Sequence, residues 1–134
     1  MALYYDLPVF KDVYSLTLRV FELTQHFSRE YKFTLGQDMK RDCLILVRSI
    51  YRANKNKDRV SCLEQFLDDF EVLKLEIRLC TDLRLFTINQ QAQLALSMET
   101  IAACCTCGFF AYSCKKSRSM GMLLEFARYK YSCL

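Results

Sequence analysis

The chain has no tryptophan, one proline, one histidine and three glycines in 134 residues. So few turn-formers leave little to punctuate a many-stranded sheet, and long uninterrupted helices are favoured. Long apolar runs are also missing. The longest, Ile101 to Tyr112, is broken by Thr106 and Gly108 and falls short of the roughly 20 apolar residues a membrane helix needs. No membrane contact by a spanning segment is expected. The opening Met1-Ala-Leu-Tyr-Tyr-Asp6 lacks the basic region and apolar stretch of a secretory signal, so a cytoplasmic location is expected.

Catalytic apparatus is missing as well. There is no Gly-rich phosphate loop, no Ser/His/Asp order and no complete set of metal ligands at the usual spacings, so neither catalytic residues, nor an enzymatic function, nor a cofactor is expected. The single histidine, His26, sits near a helix end with no neighbouring nucleophile in sequence and reads as structural. Eight cysteines would suit a secreted disulfide scaffold, but Cys43, Cys62 and Cys80 are scattered along helical patterns in a chain with no signal, which favours reduced thiols. The cluster Cys104, Cys105, Cys107 and Cys114 holds a single Cys-x2-Cys spacing, Cys104 to Cys107, with neither a second such pair nor a His partner to complete a site, so no metal is expected there.

What remains is enough for one packed domain, since 52% of the residues are hydrophobic and 13% aromatic. The first apolar stripe is Val9, Val13, Leu16, Val20, Leu23 and Phe27, at spacings of 4, 3, 4, 3 and 4, on a segment from about Leu7 to Phe27. Asp6 and Pro8 suit its start. A second segment opens at the capping box Thr34-Leu-Gly-Gln37, carries Gly36, Met39, Cys43, Leu46, Ile50 and Ala53, and ends in the polar loop Asn54 to Asp58. A third opens at the box Ser61-Cys-Leu-Glu64 and carries Leu63, Phe66, Phe70, Leu73, Ile77 and Cys80, with Leu67, Leu75, Leu79 and Leu83 widening the apolar face. A fourth opens at the box Thr87-Ile-Asn-Gln90 and carries Leu94, Met98, Ile101 and Cys105, flanked by Ala95 and Ala102. Short connections make successive helices antiparallel, so the expected fold is an all-α, up-down-up-down four-helix bundle over residues 1–104. Residues 105–134 form a basic extension rich in Cys and aromatics, with room for a short extra helix from Met120 to Tyr131.

Charge is distributed by region. Residues 1–103 hold 14 basic and 14 acidic groups, so the net +4 of the chain comes entirely from the tail. Within the neutral part, residues 29–59 carry nine basic and four acidic groups, whereas residues 60–99 carry three basic and seven acidic. On the second segment Arg41, Arg48, Arg52 and Lys55 are spaced 7, 4 and 3 and share one side, with Lys40 beside them and Lys57 and Arg59 beyond. Such a row matches a phosphate backbone, because each neutralised phosphate releases counterions. An ordinary solvated face accounts for the same pattern, and Asp38 and Asp42 dilute the row. The acidic counterpart, Asp68, Asp69, Glu71 and Glu76, is expected as a solvated face or as one half of a subunit or partner contact.

Three phrases carry a family resemblance: Tyr5-Asp-Leu-Pro-Val-Phe-Lys11, Tyr31-Lys-Phe-Thr-Leu-Gly-Gln-Asp-Met-Lys-Arg41 and Ile50-Tyr-Arg-Ala-Asn-Lys55. Phe70-Glu-Val-Leu-Lys-Leu-Glu-Ile-Arg78 and Asp82-Leu-Arg-Leu85 extend it, so that it covers roughly residues 4–102. The chain resembles the four-helix-bundle family that includes the 23S rRNA intervening-sequence proteins and the accessory variability determinant (Avd) of diversity-generating retroelements. The phrase Tyr51-Arg-Ala-Asn-Lys55 after a Leu-Gly-Gln helix start is closer to the retroelement branch. That resemblance implies a homo-oligomer, pentameric in this branch, that binds a reverse transcriptase and RNA or DNA during mutagenic copying of a template RNA. Carried onto this chain, the nucleic-acid contacts fall on Arg41, Arg48, Arg52, Lys55 and Arg59, with Lys40 and Lys57 as weaker members. The ribosomal-insert branch implies instead a self-assembling bundle with no nucleic-acid role. The tail departs from the family, which closes its last helix with a phrase containing Gly and Trp; a membrane-surface or partner-helix contact is a third use for it.

Overall fold

The computed structural model describes residues 4–105, the side chain of Tyr5 excepted. The expected extra helix from Met120 to Tyr131, Cys107 and Cys114 lie outside them. A 3-10 turn, Tyr4–Asp6, leads into α1 (Pro8–Gln25), a single-turn α2 (Arg29–Lys32), α3 (Leu35–Lys55), α4 (Arg59–Asp82) and α5 (Ile88–Cys104). The four long helices form the all-α bundle. α3 packs most extensively on α4 and also against α1, which in turn receives α5.

The expected stripes meet at the centre. Val13 and Val20 of α1, Met39 and Leu46 of α3, Leu73 of α4, and Leu94 and Ile101 of α5 are completely buried. Each such aliphatic side chain contributes about 1.5–3 kcal/mol by leaving water. Three of the leucines read as widening the face of α4 do not join the core. At 3.6 residues per turn, Leu75 and Leu79 turn away from Leu73, Ile77 and Cys80, and Leu83 is the C-cap residue; all three are exposed together with Val72.

Helix starts differ from the sequence expectation in three of four cases. α1 has Leu7 at its N-cap with no side-chain cap, and Asp6 is taken up in the 3-10 turn. The Thr34 hydroxyl does not cap α3; it donates to the Glu30 carbonyl at 2.9 Å, closing the α2 turn that directly precedes it. α4 begins ahead of Ser61 because Asp58 is the better cap, accepting from the Ser61 amide at 3.3 Å and from the Ser61 hydroxyl at 2.9 Å. Only the Thr87/Gln90 box forms reciprocally, at 3.4 and 2.9 Å. The loop between α3 and α4 is therefore shorter than the polar run Asn54 to Asp58, and Arg59 is a helix residue.

Two backbone features hold the ends. α4 closes with Arg84 at a left-handed φ of 57°, while the amides of Arg84 and Leu85 reach back to the Thr81 and Cys80 carbonyls at 3.0 and 2.9 Å. This is a Schellman closure, normally given to glycine. At the other end, Gly36 lets α3 approach the end of α1: a Cβ there would lie 3.3 Å from the Tyr31 carbonyl oxygen and 3.4 Å from the Phe27 ring.

Candidate nucleic-acid interface

The apolar stripe of α3 turns Gly36, Met39, Cys43, Leu46, Ile50 and Ala53 inward. The opposite side of the same helix then presents Arg41, Leu44, Arg48, Tyr51, Arg52 and Lys55 to solvent. The members of the expected basic row are not equivalent. Arg41 is held by Asp38 at 3.1 Å and Asp42 at 3.4 Å; exposed pairs of this kind contribute about 0–1 kcal/mol, yet they spend the cation's charge locally. Among the described residues, no carboxylate lies within ion-pair distance of Arg48, Arg52 or Lys55. These three form the unneutralised part of the row. Lys57 is exposed in the loop beyond, and Arg59 is exposed at the start of α4.

Lys40 leaves the row. It is half-buried and its ammonium stands 5.4 Å from the centre of the Phe21 ring on α1, a cation–π contact that serves helix packing. Lys55 makes the analogous contact within the face, 5.9 Å from the Tyr51 ring. Periodicity had no means of revealing the first of these, since the partner is on another helix.

The acidic set divides more sharply. Asp68 is exposed, Asp69 accepts from Gln65 at 3.2 Å, and Glu71 is tied to Lys74 at 2.6 Å. Glu76, expected on the same acidic surface, is instead buried, and its Oε2 finds no hydrogen-bond partner among the described residues. Its carboxyl is pushed up to about 7, first by burial, then by the charges of Asp42 and Asp38. The charge of Arg41 opposes this. Glu76 thus reads as a helix-packing carboxyl between α4 and α3 and not as an outward contact.

The remaining chemistry is quiet. The Cys43, Cys80 and Cys105 thiols are each raised to about 12, chiefly by burial, which leaves them without nucleophilic thiolate near neutral pH. A small apolar cavity is lined by Val9, Ser49, Ile50, Ala53, Leu63, Phe66 and Cys105 and offers no convergent polar groups. Among the described residues no cluster of three or more His, Cys, Asp or Glu could hold a metal ion. No helix among them is long and apolar enough to cross a membrane.

Comparison with known proteins matches the chain to a family model described as bAvd-like, over residues 9–109. The chain belongs to the bAvd-like family. No curated protein matches it. For this bAvd-like chain the match covers all four long helices except the first residue of α1, so the basic face of α3 lies wholly inside the family's shared region. What sequence reading missed in that face are Leu44 and Tyr51, which are 53% and 44% exposed and stand among the cations. Their outward register was available from the 3.6-residue period, but as apolar residues they drew no attention in a search for charge.

Proposed function

We propose that this bAvd-like chain is a non-enzymatic accessory protein of a diversity-generating retroelement. It acts as a homo-oligomeric bundle that binds the element's reverse transcriptase and its template RNA or DNA during mutagenic retrohoming. The nucleic-acid surface is the outer face of α3, and the observation that carries this reading is the set of unneutralised cations Arg48, Arg52 and Lys55 on one side of one helix. Arg41, Lys57 and Arg59 extend the surface as weaker contributors, and Lys40 is removed from it by Phe21. Guanidinium groups suit phosphate because their planar donors match two oxygens at once. The test is binding of structured RNA by the full chain. Double charge reversal, Arg48→Glu with Arg52→Glu, should abolish binding at low salt; unchanged affinity would remove the basis of the proposal.

A second reading, a self-assembling bundle with no nucleic-acid role, is favoured by the aliphatic stripe of α4. Val72, Leu75, Leu79 and Leu83 are all exposed at helical spacing, with Asp68 on the same side nearer the start of the helix. Contiguous exposed apolar surface of this kind suits a subunit contact. Both readings share a homo-oligomer, taken to be a pentamer in the retroelement branch. They part on RNA. Leu75→Asp should lower the mass measured by light scattering under either, whereas loss of RNA binding on charge reversal of α3 is expected only under the first.

A further inference from the structure

Beside the basic row runs a ladder of aromatic rings that crosses from α3 to α1. Tyr51 of α3 meets Tyr4 of the 3-10 turn edge-to-face, with centroids 5.2 Å apart and planes at 83°. Tyr4 meets Phe10 of α1 in the same way at 5.3 Å and 85°. Phe10 then lies nearly parallel to Tyr14, one helical turn on, at 6.0 Å and 15°. The middle of the ladder, Tyr4 and Phe10, is half-buried, while its ends, Tyr51 and Tyr14, are 44% and 50% exposed. Lys55 joins ladder to row, its ammonium 5.9 Å from the centre of the Tyr51 ring.

Each element has a chemical counterpart in an unpaired nucleic-acid strand. A ring held in place by a neighbouring ring presents a π surface at little entropic cost, and every base has a face to stack on it. The cations alongside match the phosphates that such a strand carries between its bases. A duplex satisfies only half of this arrangement, because its bases already stack on one another and are closed to side chains on its outside. Resting on the reading of α3 as a nucleic-acid surface, we propose that Tyr51 and Tyr14, on the floor made by Tyr4 and Phe10, stack unpaired bases, so that the site takes single-stranded nucleic acid in preference to duplex.

The experiment is fluorescence anisotropy with the full chain and labelled oligonucleotides of one length: oligo-U, oligo-dT and a duplex, each over a salt series. Single strands should bind about tenfold tighter than the duplex at equal salt, the order expected of one stacked base. Equal binding of oligo-U and oligo-dT assigns the preference to base faces and phosphates; a gap between them adds a contribution from the ribose hydroxyl or the thymine methyl but leaves the single-strand preference standing. Tyr51→Ala should lose about tenfold on single strands with little change on duplex and no change in salt slope, and Tyr51→Phe, which keeps the ring, should bind as the parent does. The proposal is overturned if single strands and duplex bind alike. It is also overturned if Tyr51→Ala weakens both equally, or if Tyr51→Ala and Tyr14→Ala change the assembly mass while the strand preference stays. In those cases salt-dependent binding lost by charge reversal at Arg48 and Arg52 would still uphold the broader function. Absence of any binding at low salt would remove both.

Discussion

Glu76 is the point where a single-atom change should strengthen the fold. Its carboxyl is buried between α4 and α3, Oε2 is without a partner among the described residues, and Asp42, Asp38 and Arg41 face it from α3. Burial and the two aspartates hold it near 7 against an ordinary value of 4.5. The folded state therefore binds the proton more tightly than the unfolded one. The stabilisation this brings is complete below about 4.5 and is lost as pH rises through about 7. Taken over that interval at 1.36 kcal/mol per pH unit, the loss is at most about 3 kcal/mol. Glu76→Gln keeps the shape, cannot ionise, and can donate its amide to Asp42. At pH near 8 it should be more stable than the parent by about 2–3 kcal/mol, a rise in Tm on the order of 10 °C. Near pH 4 the two should unfold together. Thermal or urea unfolding followed by helical circular dichroism across that range reads both quantities. A variant less stable than the parent at the alkaline end would refute the reasoning, as would a difference that does not change with pH.

Further outcomes follow from the same structure. Arg84→Gly, which relieves a left-handed backbone at the close of α4, should stabilise by about 1 kcal/mol in the same unfolding assay. Gly36→Val places branched carbon against the Tyr31 carbonyl and Phe27 ring and should cost about 1–3 kcal/mol, with the loss read as a lower urea midpoint. Among the described cysteines, a thiol reagent near neutral pH should label half-buried Cys62 first and leave Cys43, Cys80 and Cys105 unmodified until the protein unfolds.

The core was legible because its signal is periodic: every residue of the α3 stripe from Gly36 to Ala53 faces inward as its spacing requires. Helix starts were less so. Thr34 and Ser61 carry capping-box spacing, but a neighbouring turn claims one and Asp58 outcompetes the other, and such rivalry between nearby hydrogen-bond groups is not visible in a motif. The basic row was legible in register but not in strength. That Arg41 is neutralised locally was hinted at by Asp38 and Asp42, three residues before it and one after. That Lys40 packs on Phe21 depends on how α1 meets α3. Leu75, Leu79 and Leu83 show the limit of reading apolar content without phase, since the same residues that suggest a wide core face lie on the outside of α4. Glu76 fails for the same reason in reverse: its charge suggests solvent, its phase places it against α3.

The central claim is that Arg48, Arg52 and Lys55 meet phosphate. Its most direct test is the slope of log K against log salt for RNA binding, measured for the parent chain and for Arg48→Gln, Arg52→Gln and Lys55→Gln. Each cation that neutralises a phosphate contributes about 0.7–0.9 to that slope, so each neutral variant should flatten it by nearly one and the triple variant by about two to three per protomer. A parent slope near zero, or one that the three substitutions leave unchanged, would contradict the claim.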